Sequence, residues 1–223
     1  MDEWLYDLYA DLPRQGPGSA EATRRAFQAM QALPTSPRIL DIGCGTGKQT
    51  LDLATLTDGE VVAVDNYAPF LQRLQERAIA VGVGDRIRCI AADMAALEFP
   101  EASFDILWSE GAIYSIGFQR GLEIWQPLLR SAGHIAVTEI SWLKPDYPEA
   151  LQQFWAMEYP AMKSLTENVA LVQAAGYRLI EHFMLSEQDW WQDYYAPLET
   201  RVAELKKAWE AIAPNKKYSI CCR

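Results

Sequence analysis

The sequence predicts an α/β domain with helices on both faces of a mainly parallel sheet of six or seven strands. From residue 38 onward, short apolar segments alternate with segments of helical periodicity, and the first apolar segment runs into a glycine-rich loop. Strands that alternate with helices form βαβ units and therefore parallel sheets. Strands that are apolar throughout suit a sheet covered on both faces. The expected architecture is Rossmann-like.

Each element follows from its local pattern. A first helix is predicted over residues 19–33, because Ser19 is a good N-cap and Pro34 ends the apolar periodicity. Gly133 and Gly176 are predicted to stop two later helices. The other predicted helices cover residues 48–56, 69–81, 118–130, 164–175 and 197–213. Strands are predicted over residues 38–42, 60–65, 86–91, 104–108, 134–140 and 177–185, and residues 218–222 fit a final strand.

Composition limits the class of protein. The chain has 223 residues, half of them hydrophobic, which is enough for one domain with a sizeable core. Its formal net charge of −10 disfavours a nucleic-acid partner. No stretch approaches the ~20 apolar residues of a membrane span. Residues 1–4 are acidic and lack the basic and apolar regions of a secretory signal.

The cysteines and histidines predict neither a disulfide framework nor a metal site. The four cysteines form no C-x-x-C pair and no ligand cluster with His134 or His182. A reducing, cytoplasmic location is therefore expected.

The sharpest motif is the glycine loop, which we define as residues 43–47, with glycines at positions 43, 45 and 47. It lies between a predicted strand and a predicted helix. In an α/β sheet this junction is at the carboxyl ends of the strands, where ligands bind, and glycine lets the backbone turn tightly and approach a ligand. Asp41 precedes the loop, and Asp65 ends the next predicted strand.

Three nucleotide-binding patterns compete for this loop. A P-loop fails, because the motif is one residue too short and Gln49 replaces the hydroxyl that binds Mg²⁺. A dinucleotide loop requires a glycine where Lys48 stands, but Asp65 lies at the right distance to hold a ribose, so this interpretation stays open. The third pattern is an acid, then G-x-G-x-G, then an acid ending the next strand, and the chain matches it without exception.

Together with residues 14–19 (RQGPGS) and 108–118 (WSEGAIYSIGF), this pattern resembles the class I methyltransferases that use S-adenosylmethionine (SAM). Within them it is similar to a bacterial subfamily of type-11 small-molecule methyltransferases, from about residue 9 to about residue 200. The resemblance implies SAM as cofactor, an unassigned substrate, and a seven-stranded sheet whose last strand is antiparallel. After about Leu198 the chain departs from its relatives, which leaves the seventh strand open.

The resemblance also divides the chain. Residues 1–223 are expected to form one methyltransferase domain. Residues 1–35 would supply an N-terminal lid and helix, residues 36–141 the SAM-binding core, and residues 142–223 a substrate-side insertion and the C-terminal strands.

The resemblance assigns a partner to each part of SAM. The glycine loop would pass beneath the amino-acid end, where Asp41 can organise contacts to the ammonium. Asp65 would accept hydrogen bonds from the ribose hydroxyls, with Asn66 beside it. The alternative for Asp65 is a cap on the following turn. The predicted cofactor-binding residues are Arg14, Asp41, Gly43, Gly45, Gly47, Asp65, Asn66, Asp93, Met94, Ser109 and Glu110.

The remaining assignments carry explicit alternatives. Asp93 would accept from the adenine amino group while Met94 packs on the ring, or Asp93 is an ordinary N-cap. Arg14 would reach the SAM carboxylate from the lid, or it is a solvated loop residue. Ser109 and Glu110 would face the reactive end of SAM, and Glu110 is the predicted catalytic residue, as a base or an orienting group. The alternative for Glu110 is a salt-bridged acid.

Aromatic residues outside the regular rhythm are predicted to wall a substrate pocket, although aromatic residues belong to the core more often than to pockets. The predicted pocket residues are Tyr114, Trp142, Trp155, Tyr159, Trp191 and Tyr195.

Three functional hypotheses follow. The first is a SAM-dependent methyltransferase that acts on a small molecule, as a monomer or homodimer. The second is an NAD-dependent oxidoreductase, which the same loop and ribose acid would serve. The third is a SAM-binding protein without catalysis.

Overall fold

The computed structural model describes residues 8–212 and builds them around a five-stranded parallel sheet. The strands run in the order β3-β2-β1-β4-β5, and every neighbouring pair is parallel. This confirms the predicted parallel α/β class. The order reverses between β1 and β4, so the switch point that binds ligands in such sheets lies there. The strands are Ile39–Ile42 (β1), Val61–Asp65 (β2), Ile87–Ala91 (β3), Phe104–Ser109 (β4) and Leu129–Val137 (β5).

Helices cover these strands. A π-helical turn at Trp191–Tyr195 joins the last two helices, Glu187–Trp190 and Ala196–Ile212. Two short strands, Ser141–Trp142 (β6) and Lys163–Ser164 (β7), pair with each other away from the main sheet. The helices are Ala20–Gln28 (α1), Lys48–Leu56 (α2), Ala68–Ala80 (α3), Phe118–Trp125 (α4), Glu149–Glu158 (α5), Leu165–Ala174 (α6), Glu187–Trp190 (α7) and Ala196–Ile212 (α8).

Apolar side chains bury both faces of the sheet, as the apolar strands predict. Successive residues of a strand point to opposite faces: Ile39 packs with α2 and α3, whereas Leu40 packs with α4. All four residues of β1 are buried. The central strand is therefore enclosed, and ligands reach it only at its carboxyl end.

Local capping signals fix two of the helices. Ser19 accepts a hydrogen bond from the Ala22 backbone N–H at 3.1 Å and begins α1. Ser164 and Glu167 form a capping box that begins α6. Gly176 follows α6 with φ +85°, which a stop after the helix requires.

The fourth helix is shorter than the predicted span of residues 118–130, and Gly133 does not end it. α4 ends at Trp125 and gives way to a 3₁₀ turn, Gln126–Leu128, which contains Pro127. Proline lacks the N–H that a continuing helix needs. Gly133 instead lies within β5, where the pairing register with β4 shifts.

The prediction of a strand over residues 177–185 is wrong. The fifth strand, β5, ends at Val137 rather than at residue 140. Within residues 8–212, residues 177–185 have no ladder partner, and a strand without a hydrogen-bonded neighbour is not a stable element. The segment packs by side chains: the Tyr177 hydroxyl donates to Leu122 O at 3.0 Å, and Arg25 lies over the Phe183 ring. The main sheet therefore has five strands rather than six or seven among the described residues. The strand proposed at residues 218–222 lies outside them.

Candidate active site

The glycine loop leaves β1 in a left-handed conformation and turns back over the edge of the sheet. Gly43, Gly45 and Gly47 have φ values of +75°, +54° and +83°, a region that favours glycine. The backbone N–H groups of Gly43 and Cys44 both donate to Val64 O, at 2.8 and 3.0 Å. The loop is thereby held against the carboxyl end of β2.

Asp65 ends β2 and ties the loop to the following turn. Its Oδ2 accepts from the Gly45 backbone N–H and its Oδ1 from the Tyr67 backbone N–H, both at 2.9 Å. Burial raises the pKa of Asp65, and these bonds oppose the rise. A carboxylate has about four acceptor sites, so Asp65 can serve as the predicted cap and still accept from a ligand. Asn66, beside it, is exposed.

Asp41 lies under the glycine loop rather than on its open face. Its side chain is fully buried, and Oδ2 accepts from the Thr50 hydroxyl at 2.6 Å. Burial raises the pKa of Asp41 to about 7, with the nearby Glu110 and Asp65 carboxyls adding to the rise. Any role toward a ligand therefore passes through the loop backbone above it.

The N-terminal segment, which we call the cover and define as residues 8–18, lies on the glycine loop. Gln15 Oε1 accepts from the Thr46 backbone N–H at 3.1 Å, and a Cβ built on Gly45 would lie 1.8 Å from that oxygen. Arg77 bridges cover and loop by donating to Leu12 O and Thr46 O, both at 3.2 Å. The lid expected within residues 1–35 stays a prediction, and residues 1–7 lie outside the described part.

Arg14 enters the protein from this cover and is buried between two acids. Its guanidinium donates to Glu110 Oε2 at 2.7 Å and to Asp52 Oδ2 at 2.9 Å, with 3% of the side chain exposed. Arg14 is therefore not the solvated loop residue of the alternative interpretation. Its predicted contact with a cofactor carboxylate stays a prediction.

Glu110 is saturated by donors. Besides Arg14, the Thr23 hydroxyl and the Trp108 Nε1–H donate to Oε1, at 2.7 and 2.9 Å. Three donors fix the position of the carboxylate. This geometry favours an orienting role over proton transfer for the predicted catalytic residue.

The remaining predicted cofactor residues flank the loop. Asp93 is exposed and its Oδ1 accepts from the Ala95 backbone N–H at 2.8 Å, which is the geometry of the capping alternative. The Met94 side chain borders the loop, since a Cβ on Gly43 would lie 3.1 Å from its Cε. Ser109 is buried and its hydroxyl donates to Ile42 O at 2.9 Å, which joins β4 to β1 at the switch point.

The predicted pocket aromatics fall into separate groups. Tyr114 and Tyr159 meet edge to face with ring centroids 6.0 Å apart. Trp191 and Tyr195 form a second pair at 5.5 Å. Trp142 contacts Tyr147 instead, and Trp155 contacts Phe154. Their roles in substrate binding stay predictions.

Sequence reasoning missed Glu139 and Gln15. Glu139 was placed inside a strand extending to residue 140, but β5 ends at Val137, so Glu139 lies at the ligand-binding edge of the sheet. The signal was the pattern already seen at Asp65, an acid that follows an apolar strand. Gln15 lay within the motif at residues 14–19, but its contact with Thr46 spans 31 residues of sequence.

Two further features concern metals and membranes. No group of three or more His, Cys, Asp or Glu side chains within the described range is placed to hold a metal ion. Among the helices described, none has the length and hydropathy of a membrane span.

Comparison with known proteins decides between the nucleotide-binding patterns. The family described as "Methyltransferase domain" matches residues 39–133, which cover the sheet from β1 into β5 and include the glycine loop. Over these residues the chain is similar to methyltransferase domains. Because the glycine loop lies within this match, the comparison favours the methyltransferase pattern over the NAD-dependent oxidoreductase.

Similar proteins support the same assignment. The 27-O-demethylrifamycin SV methyltransferase of Amycolatopsis mediterranei is 33% identical over 121 residues, which are 47% of this chain and 44% of that protein. The sterol 24-C-methyltransferase of Neurospora crassa is 24% identical over 172 residues, 72% of this chain and 45% of that protein. The chain thus spans less than half the length of these two relatives.

A solved structure shares the fold of nearly the whole chain. The SAM-dependent methyltransferase of Thiobacillus denitrificans, in complex with S-adenosyl-L-homocysteine, superposes with a TM-score of 0.80. It is 21% identical, and the match covers 97% of this chain and 86% of that one. At this identity the likeness establishes the fold of the methyltransferase domain and leaves its chemistry to the site residues.

Replacing Arg14 by Met should destabilise the methyltransferase domain by about 3–5 kcal/mol, because Glu110 and Asp52 would lose the cation between them. Urea unfolding would measure the loss. Arg24→Met is the matched control: Arg24 is paired with Glu21 but 47% exposed, so its loss should cost less than ~1 kcal/mol. Equal costs for the two variants would contradict a structural role for the buried guanidinium.

The raised pKa of Asp41 predicts a dependence of stability on pH. Because the folded-state pKa of about 7 lies above the ordinary value of 3.8, the native state binds the proton more tightly than the unfolded state. The contribution of Asp41 to the unfolding free energy is therefore fully present below about pH 4. It falls by at most about 4 kcal/mol as pH rises through 7. Asp41→Asn keeps an acceptor for Thr50 and removes the charge, so its unfolding free energy should fall less steeply between pH 5 and pH 8, assayed in ~0.5-unit steps. An unchanged slope would mean that Asp41 does not titrate in this range.

Proposed function

We propose that this chain is an enzyme that transfers the methyl group of SAM to a small molecule by in-line displacement. The observation that carries the proposal is the left-handed glycine loop bonded to Asp65 at the switch point of a parallel sheet. The curated relatives support it, since their names describe methyl transfer to a rifamycin and to a sterol. A small-molecule acceptor also agrees with the net charge of −10, which disfavours nucleic acid.

The residues present fit SAM. The three glycines keep side-chain atoms off the loop, and a Cβ at Gly43 would meet Ala112 at 2.4 Å, so the backbone is shaped for close approach to a ligand. Asp65 keeps acceptor capacity beside the loop for the ribose hydroxyls. Met94 borders the loop on the side proposed for adenine. Asn66 and Asp93, both exposed, complete the ribose and adenine sides in this proposal.

The chemistry divides between cofactor and protein. The sulfonium of SAM supplies the activated methyl group and a good leaving group. The chain must then align the acceptor with that methyl and exclude water. The cover over the glycine loop excludes water, and the Arg14–Glu110 pair fixes the cover in place.

Partner and location follow from the same residues. We expect a monomer or homodimer, since no step of the proposed reaction calls on a second chain. Cys44 and Cys89 are free thiols, which supports a reducing, cytoplasmic environment.

Asp65→Ala should weaken SAM binding by more than about tenfold, the scale of a charge-assisted hydrogen bond of ~1.5 kcal/mol. Calorimetric titration with SAM measures it. Asp58→Ala is the matched control, because Asp58 is an exposed acid beyond the opposite end of β2, and it should bind as the wild type does. Unchanged affinity in the Asp65 variant would refute the ribose assignment.

Gly45→Ala should abolish detectable SAM binding, because the new methyl would lie 1.8 Å from Gln15 Oε1 and would push the cover off the loop. Gly82→Ala controls for backbone strain: Gly82 has φ +75° and open space around its Cβ position. Gly82→Ala should lose ~1–2 kcal/mol of stability through backbone strain and keep the ligand, whereas Gly45→Ala should lose at least as much stability and also the ligand. Binding by the Gly45 variant at wild-type affinity would place the cofactor elsewhere.

Turnover separates the enzyme from a SAM-binding protein without catalysis. The wild type should convert radiolabelled SAM into labelled product with some member of a panel of alcohols, phenols, amines and thiols. Binding of SAM without turnover on any of them would favour the non-catalytic hypothesis.

A further inference from the structure

Glu139 stands at the edge of the sheet where the proposed reaction takes place. It follows Thr138, whose backbone N–H donates to Ser109 O at 3.0 Å and whose hydroxyl accepts from the Gly111 backbone N–H at 2.7 Å. These bonds join the end of β5 to the end of β4, immediately beside Glu110. Glu139 therefore lies on the same carboxyl edge as the glycine loop, two strands away.

The Glu139 carboxyl is only half satisfied. Its Oε1 accepts from the Tyr159 hydroxyl at 2.7 Å. Its Oε2 is buried and has no hydrogen-bond partner among the described residues. A buried carboxylate oxygen without a donor is costly. Burial raises the pKa of Glu139 to about 7, against the lowering effect of the Tyr159 bond.

Phenol rings surround this carboxyl. Tyr159 meets Tyr114 edge to face, and Tyr114 interacts electrostatically with Glu139 itself. Tyr194 in turn interacts with Tyr114 and is hydrogen-bonded to the Tyr9 side chain. Among the described residues, Glu139 thus interacts with phenols, whose ring faces attract cations, and with no cationic side chain.

We propose that Glu139 binds the amino group of the methyl acceptor, and that the acceptor is an amine that enters as its ammonium ion. An ammonium N–H satisfies Oε2 and neutralises the carboxylate, whereas an alcohol supplies a donor without a charge. The net charge of −10 attracts such a cation to the protein. This inference rests on the proposed methyl transfer, since it names the acceptor class of the same site.

The same contact prepares the nucleophile. An ammonium nitrogen has no free electron pair and cannot attack a methyl group. Transfer of one N–H proton to Glu139 Oε2 leaves a neutral amine with its lone pair restored and converts the carboxylate to a carboxylic acid. A carboxyl whose pKa lies near neutrality is suited to accept that proton.

A pair of probes with the same shape tests the charge requirement. Benzylamine and benzyl alcohol would be titrated calorimetrically into the full-length protein, with and without saturating S-adenosyl-L-homocysteine. The wild type should prefer the amine by about tenfold or more. Glu139→Gln should reduce the preference to within about twofold, and Glu149→Gln, an exposed acid at the start of α5, should keep it.

Infrared difference spectra give a second readout of Glu139 itself. At about pH 6, below the pKa of Glu139, benzylamine should remove a protonated-carboxyl band from the wild type as the ammonium displaces the proton. The Glu139→Gln variant should show no such loss, although Asp41 remains in it.

The outcomes distinguish this inference from the proposed function. Equal affinity for the two probes, a preference that survives in Glu139→Gln, or no amine binding by a protein that binds S-adenosyl-L-homocysteine would overturn the amine assignment. A Glu139-dependent preference for the amine in a protein that binds neither SAM nor S-adenosyl-L-homocysteine would uphold the amine site and refute the proposed methyl transfer.

Discussion

The burial of the Arg14 guanidinium is the constraint on which the arrangement of the site depends. A charge taken out of water is stable only where partners surround it, and Arg14 finds Glu110 at the end of β4 and Asp52 on α2. These contacts attach the cover to the end of β4 and to the helix α2. The path also requires glycine at position 18, where a Cβ would lie 2.9 Å from Glu110 Oε2 and 3.0 Å from Arg14 Nη1.

The two acids of the glycine-loop motif, Asp41 and Asp65, have different surroundings, because Asp41 lies within β1 and Asp65 ends β2. Asp41 points to the face covered by α2. Burial favours its neutral form there, and the Thr50 hydroxyl is its donor. Asp65 ends its strand and meets backbone N–H groups at the rim. The same residue type thus packs against α2 in one case and binds the loop backbone in the other.

The sequence predicted those parts of the fold that have local causes. Apolar strands, the Ser19 cap and the left-handed glycines each depend on a few neighbouring residues, and the structure has them. Pro127 was a local signal that outweighed the helical pattern around it. The contacts that build the site are not local: Arg14 meets Glu110 across 96 residues and Asp52 across 38. Glu139 could be interpreted only once the end of β5 was known.

One hydrogen bond in the cover links the two sides of the cleft. Gln15, whose Oε1 lies on the glycine loop, donates from Nε2 to Tyr9 O at 3.4 Å, and Tyr9 is the partner of Tyr194 on the aromatic side. A displacement of Gln15 from Thr46 would therefore also disturb its hydrogen bond to Tyr9 O. The cover thus connects the glycine loop to the tyrosines through the contacts of Gln15 and Tyr9.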